Sequence, residues 1–194
     1  DQPNNRSIHK VDKLTSGGIS FASASIISLL IIGNFKILAL LPLVISGYID
    51  DSLNLSRRSR FFTQVLSSIL IFFSINKNVL GENNLFLFLL IISIWVFIST
   101  AVINFINFMD GIDGLVCSNL IAILFISYIF ESHNYIITAI PLLVFLYWNW
   151  QPAKIFMGDT GSTFLGGLLL LLLFENFTIE KLIFVFSISS PLLL

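Results

Sequence analysis

The sequence predicts an all-α protein, a polytopic membrane helix bundle with about eight transmembrane segments. Three observations predict it. Of 194 residues, 56% are hydrophobic and 11% charged, and the mean hydropathy is +0.95, whereas a soluble domain carries roughly 25% charged residues. The apolar residues fall in runs that recur to the last residue, which a cleaved leader does not explain. Between the runs lie only short polar stretches, with no repeat, no low-complexity segment and no soluble domain.

In order, the runs are 17–33, 36–49, 61–75, 85–105, 115–130, 134–148, 162–175 and 181–194. A spanning helix needs roughly 20 residues, with a range of about 17–25. The run at 85–105 meets that length. The shorter runs borrow flanking polar residues or stop where a cavity enters the membrane. Tyr147, Trp148 and Trp150 cluster at a run end, as interfacial aromatics do. The chain starts at Asp1 and stops inside "SPLLL", so we expect one integral membrane domain, 1–194, incomplete at both ends. The lone Cys117 permits no internal disulfide and is expected to pack inside a helix. The net charge of −1 selects no partner, and no nucleic acid is expected.

Eight crossings put 50–60, 106–114 and 149–161 on the same side as residues 1–16. Seven of the ten Lys and Arg fall there (Arg6, Lys10, Lys13, Arg57, Arg58, Arg60 and Lys154). The positive-inside rule makes that side cytoplasmic. All seven aspartates fall on it too, while the four glutamates, Glu82, Glu131, Glu175 and Glu180, fall on the other side or at its edge. Asp50, Asp51, Asp110, Asp113 and Asp159 are thereby drawn from three loops to one membrane face.

The first loop, "GYIDDSLNLSRRSRFFTQ", puts adjacent acids at the edge of an apolar run. An Asp at the centre of a spanning helix costs ~2.5–3.5 kcal/mol, so such a pair is expected to have a use. Arg57 and Arg58 read most simply as positive-inside residues. The second loop, "NFINFMDGIDGLV", spaces Asn104, Asn107, Asp110 and Asp113 by threes, which keeps groups on roughly one face of a helix end. Gly111 and Gly114 permit close backbone approach or positive φ. A calcium loop would need a D-x-[DN]-x-[DN]-G spacing that is absent. The third loop, "YWNWQPAKIFMGDTGSTFLGG", runs from Gly158 into a helix. Asp159, Thr160 or Ser162 could cap that helix, and free backbone N–H groups there could hold a phosphate oxygen. Phe156 offers either membrane packing or a flat face for a base, worth ~1–3 kcal/mol.

Two charges 4 Å apart repel by ~4 kcal/mol at an effective dielectric of 20, so five carboxylates need a cation. Oxygen-only ligands suit Mg²⁺, or Mn²⁺. Mg²⁺ commonly takes one or two carboxylates plus substrate phosphates. The expectation is a phosphorylated substrate arriving from the cytoplasm, with a lipid phosphate as the second substrate at the bilayer.

"GYIDDSLNLS", "NFINFMDGIDGL" and "NWQPAKIFMGDTGSTFLGG" resemble the polyprenyl-phosphate N-acetylhexosamine-1-phosphate transferase family, of glycosyltransferase family 4 type, over essentially the whole chain. The resemblance implies a multi-pass enzyme of the cytoplasmic membrane. Such an enzyme moves an N-acetylhexosamine 1-phosphate from a UDP-sugar to polyprenyl (undecaprenyl) phosphate and releases UMP, with Mg²⁺ as cofactor. It further implies catalytic roles for Asp50 and Asp51, one preparing the lipid phosphate as nucleophile. Asp159 matches the Mg²⁺ ligand. Asn107, Asp110, Asp113 and Asn149 match the nucleotide-sugar site, Phe156 lies beside the uracil, and Asn54 and Arg60 meet the diphosphate or sugar. A homodimer is compatible with it.

Two departures stand out. "KVDKLTSGG" after His9 lacks the prolines and arginine of the family's first loop, and the family's final His- and Arg-containing loop is not in the chain. The motifs favour the branch that starts O-antigen or other surface polysaccharides. The phospho-N-acetylmuramoyl-pentapeptide transferase of peptidoglycan synthesis is the alternative. A cation-coupled transporter, the rival of another class, would place its acids near the midplane of its spans.

Overall fold

The stretch "GSTFLGGLLLLLLF" has no polar face, and a helix of that kind has to be surrounded. A computed structural model, which describes residues 15, 17–76, 84–131 and 134–175, puts this stretch at the centre of the molecule. The regular elements among the described residues are all helical. They are α1 (Gly17–Ile31), α2 (Leu41–Leu53), α3 (Arg57–Ile75), α4 (Leu85–Met109), α5 (Leu115–Glu131), α6 (Ala139–Asn149) and α7 (Gly158–Phe174). Two 3-10 helices, Phe35–Leu40 and Asn134–Thr138, precede α2 and α6. α1 to α5 all pack on α7, and every residue from Thr160 to Leu173 is buried.

The helical boundaries depart from the apolar runs where polar groups find partners. α2 continues to Leu53 rather than ending at 49. Asn54 ends it in the left-handed conformation (φ 51°), which Asn tolerates better than most residues. Ser56 then starts α3, its hydroxyl accepting the N–H of Ser59 at 3.2 Å, a common N-cap arrangement. α4 runs on to Met109, and Asn104, inside it, exchanges two amide hydrogen bonds with Gln64 of α3 at 3.0 and 2.9 Å. α7 starts at Gly158, so Asp159 stands in a first helical turn rather than in a loop. The runs at 36–49 and 134–148 each divide into a 3-10 helix and an α-helix, with Pro42 in the first turn of α2.

By length and composition one described helix, α4, can cross a membrane; α1, α5 and α7 are shorter apolar helices. The run 181–194 and His9 lie outside the described residues. Large apolar side chains point outward, among them Phe86 and Phe97 of α4.

The residues assigned to the two faces keep apart. The described acids of the three loops meet at one end of the bundle. At the other, Lys36 Nζ lies 2.5 Å from Glu175 Oε1, and the buried Tyr135 donates its hydroxyl to Glu175 Oε2 at 2.6 Å.

Candidate active site

The α2–α3 elbow sets the first acid. Asp50 is buried, and its Oδ1 accepts the N–H of Leu55 at 2.6 Å, which holds the carboxylate against the turn. Its Oδ2 is buried without a hydrogen-bond partner. The nearest cation to that oxygen is Arg60, one turn into α3, with Nη1 at 3.2 Å. The same Nη1 lies 3.5 Å from Asp159 Oδ2 on α7. Asp50 and Asn107 also face the Asp159 carboxylate.

These groups line a cavity of about 350 Å³ walled by α2, α3, α4 and α7. Asp50, Arg57, Arg60, Gln64, Asn104, Asn107 and Asp159 supply its polar lining, and Phe61 and Leu43 part of its apolar lining. Arg57, Arg60 and Gln64 fall at i, i+3 and i+7 on α3, one helical face. Gln64 was missed in the sequence, although a glutamine inside "FFTQVLSS" on the face of Arg60 is the signal that could have found it.

Asp51, next in sequence to Asp50, does something different. Its Oδ1 accepts the N–H of Asp159 at 2.7 Å. Its Oδ2 accepts the N–H of Thr160 at 3.2 Å and the Thr160 hydroxyl at 2.6 Å. The start of α7 is therefore capped by a carboxylate from α2. This corrects the expectation that Asp159, Thr160 or Ser162 caps α7: its N-cap position, Met157, makes no side-chain cap bond. The Ser162 hydroxyl donates to Gly158 O and to Asn107 Oδ1. It also corrects the expectation that the first N–H groups of α7 are free for a phosphate, since Asp51 already takes two of them.

The approach is close. A Cβ on Gly47 of α2 would lie 2.5 Å from Thr160 Cα. A Cβ on Gly158 would lie 2.6 Å from both Asp51 carboxylate oxygens, and its φ of +68° is strained for other residues.

The remaining expected residues form a second group beside the cavity. Asn149, buried at the end of α6, accepts the N–H of Gly114 at 3.0 Å and donates to Ile155 O at 2.9 Å. Asp113 Oδ2 accepts the N–H of Ala153 at 2.8 Å. Phe156 O and Met157 O accept the first N–H groups of α1, from Gly17 at 3.1 Å and Gly18 at 2.9 Å. Together these bonds tie the turn 110–114 and the segment 150–157 to each other and to α1 and α6. Gly114 needs its positive φ (+73°), whereas a Cβ on Gly111 would meet nothing within 4 Å. Asn54 serves as the left-handed end of α2 and is exposed.

Asp110 follows the last residue of α4 as its C-cap. Its carboxyl is pushed up to about 8, first by burial and then by the charges of Asp159, Asp51 and Asp113. The acids are thus near enough to repel, as the sequence implied. They do not surround one point: among the described residues no three His, Cys, Asp or Glu form a ready metal site. The five expected carboxylates divide into a facing pair, Asp50 and Asp159, with Asp51 bonded to the start of α7, Asp110 at the end of α4 and Asp113 on the neighbouring loop.

A helical bundle with a largely apolar exterior and an acidic, arginine-bridged cavity at one end defines the class: a helical protein with one polar working end. The model of Glycosyl transferase family 4 matches residues 34–175, and the chain belongs to that family. It is 32% identical to a phospho-N-acetylmuramoyl-pentapeptide-transferase of Clostridium novyi, over 79% of this chain and 57% of the relative. It is 28% identical to a probable undecaprenyl-phosphate N-acetylglucosaminyl 1-phosphate transferase of Bacillus subtilis, over 100% of this chain and 59% of the relative. The chain thus spans less than two thirds of the length of these relatives.

Proposed function

We propose that the protein transfers an N-acetylhexosamine 1-phosphate from a UDP-sugar to polyprenyl phosphate at the cytoplasmic membrane, releasing UMP. The observation that carries the reading is the facing pair Asp50 and Asp159 in one cavity with Arg60. The names of the relatives and the family match support it. Lipid contact through the apolar exterior, and a multi-pass bundle of about eight spans, complete it.

The donor set fits a hard divalent cation. Its groups offer oxygen only, and Asp50 Oδ2 is a buried carboxylate oxygen lacking a hydrogen bond. Asp159, with Asp50 beside it, would hold Mg²⁺, with Mn²⁺ as a substitute, while Asn107, whose Oδ1 accepts the Ser162 hydroxyl, belongs to the nucleotide-sugar side. When bound, Mg²⁺ neutralises charge on the diphosphate. Two carboxylates leave room for the substrate phosphates that such an ion commonly takes.

Asp50 acts on the lipid phosphate. Its Oδ1 is fixed by Leu55, so Oδ2 has one direction, into the cavity, where it orients the attacking phosphate. An oxygen of that phosphate bonds to the sugar-bearing phosphorus. The bond from that phosphorus to the bridging oxygen breaks, and UMP leaves with the electron pair. Asp51 is a positioning residue: by holding the first turn of α7 it sets where Asp159 points. Asp110, Asp113 and Asn149 shape the nucleotide-sugar side, and the half-buried Phe156 offers the uracil a face. Asn54 and Arg60 meet the diphosphate or sugar. A two-step route through an aspartyl-phosphate would use Asp50 in the same place.

We favour the branch that begins surface polysaccharides. The second reading, transfer of phospho-N-acetylmuramoyl-pentapeptide, is favoured by the 32% identity to the Clostridium novyi relative. One assay separates them. Full-length protein is given polyprenyl phosphate, Mg²⁺ and each of several UDP-N-acetylhexosamines or UDP-N-acetylmuramoyl-pentapeptide, and UMP release is scored. Release with a simple UDP-N-acetylhexosamine supports the favoured branch. Release with the pentapeptide donor alone selects the second, and release with none refutes both.

A further inference from the structure

Arg60 sits where a cation is needed. Asp50 and Asp159 come from different helices and face one another, and the Arg60 guanidinium lies within 3.5 Å of both. Yet its grip is loose. Charge-assisted N–H···O bonds run at about 2.7–2.9 Å, whereas Arg60 Nη1 stands 3.2 Å from Asp50 and 3.5 Å from Asp159. Arg60 Nε is buried without a hydrogen-bond partner, and so is Asp50 Oδ2, in a residue only 5% exposed. A well-made buried Arg–carboxylate pair would satisfy both. The carboxylate is anchored by Leu55, and the arginine side chain, 42% exposed, has the cavity beside it to move into.

We propose that Arg60 is a resident counter-ion between Asp50 and Asp159, a place it yields to the divalent cation. Without the ion, its charge offsets the repulsion of the facing acids. With the ion bound, Arg60 is repelled from that place and turns into the cavity, where its charge is free for an anionic group of the substrate. The arginine thus competes with the metal and keeps the acid pair assembled until the metal arrives. This inference rests on the metal reading above.

The test is Mn²⁺ binding to the full-length protein in detergent, without nucleotide or lipid, followed by electron paramagnetic resonance. Arg60→Gln removes the competitor and should bind Mn²⁺ about tenfold more tightly than wild type, a shift of the size one nearby charge can produce. Arg60→Lys keeps the charge and should bind nearly as wild type. Arg60→Gln should also melt lower than wild type without Mn²⁺ and recover with it. In the wild-type protein, which does not depend on the variants folding, modification of Arg60 by phenylglyoxal should rise when Mn²⁺ is added. Equal or weaker Mn²⁺ binding by Arg60→Gln, or unchanged modification of wild-type Arg60, overturns the counter-ion role while leaving the metal reading standing. Absence of Mn²⁺ binding in wild type and variants alike overturns the metal reading and this proposal with it.

Discussion

Asp51 Oδ1 accepts the backbone N–H of Asp159 at 2.7 Å, across 108 residues of sequence. The two adjacent acids of α2 therefore divide their work. Asp50 faces the cavity, and Asp51 holds the helix that carries Asp159.

Removing that hold should loosen the start of α7. Asp51→Ala leaves two N–H groups and the Thr160 hydroxyl without their acceptor, and a lost cap costs about 0.5–2 kcal/mol. We expect a melting temperature several degrees lower and a larger loss of turnover. Gly158→Ala should act in the same direction, because its Cβ would press on the Asp51 carboxylate from a φ of +68°. Thermal melting in detergent checks both, and a wild-type melting curve for Asp51→Ala would remove the capping role.

Asp110 predicts a pH dependence. Its carboxyl is raised from 3.8 to about 8 in the folded protein by burial and by the acids around it. Between those values the folded state keeps a proton that the unfolded chain has released. Stability should therefore fall as pH rises through that window, in the absence of divalent cations. Asp110→Asn cannot ionise and should flatten the decline. The measurement is the melting temperature from pH 5 to pH 8 for both proteins, and parallel curves would contradict the assignment.

Asn149 separates scaffold from substrate contact. Its amide accepts from Gly114 and donates to Ile155. Asn149→Ala leaves a buried N–H and a carbonyl unpaired, at about 1–3 kcal/mol for such a group. Asn149→Asp keeps the acceptor but turns an oxygen toward Ile155 O. Both variants should melt lower. If both keep the wild-type melting temperature and only the KM for the UDP-sugar rises, Asn149 is a ligand contact and not a clasp.

The gathering of Asp50, Asp51, Asp110, Asp113 and Asp159 at one end was legible in the sequence, because the order of apolar runs and the segregation of Asp from Glu both imply it. The elbow was legible in principle too: Asn54 suits a left-handed helix end and Ser56 an N-cap. The extension of α4 to Met109 was not, because Asn104 is stable inside a helix only through its partner Gln64, 40 residues away. The capping of α7 was hidden for the same reason. "GDTGS" carries its own candidate caps, and only the fold reveals that Asp51 supplies one from α2. Arg60 had a substrate-side role in the sequence only through the family resemblance, and its pairing with Asp50 and Asp159 is visible only once α2, α3 and α7 are packed.

The central claim is that Asp159 works as a ligand and charge in the transfer site and not as a helix cap. Asp159→Asn tests it most directly, because Asn and Asp cap helices about equally well and the first N–H groups of α7 are held by Asp51 in any case. UMP release from the UDP-N-acetylhexosamine that the wild type uses, with polyprenyl phosphate across a Mg²⁺ titration, should fall by orders of magnitude, with a melting temperature equal to or above that of wild type. A folded Asp159→Asn protein with wild-type turnover and a wild-type Mg²⁺ response would contradict the account.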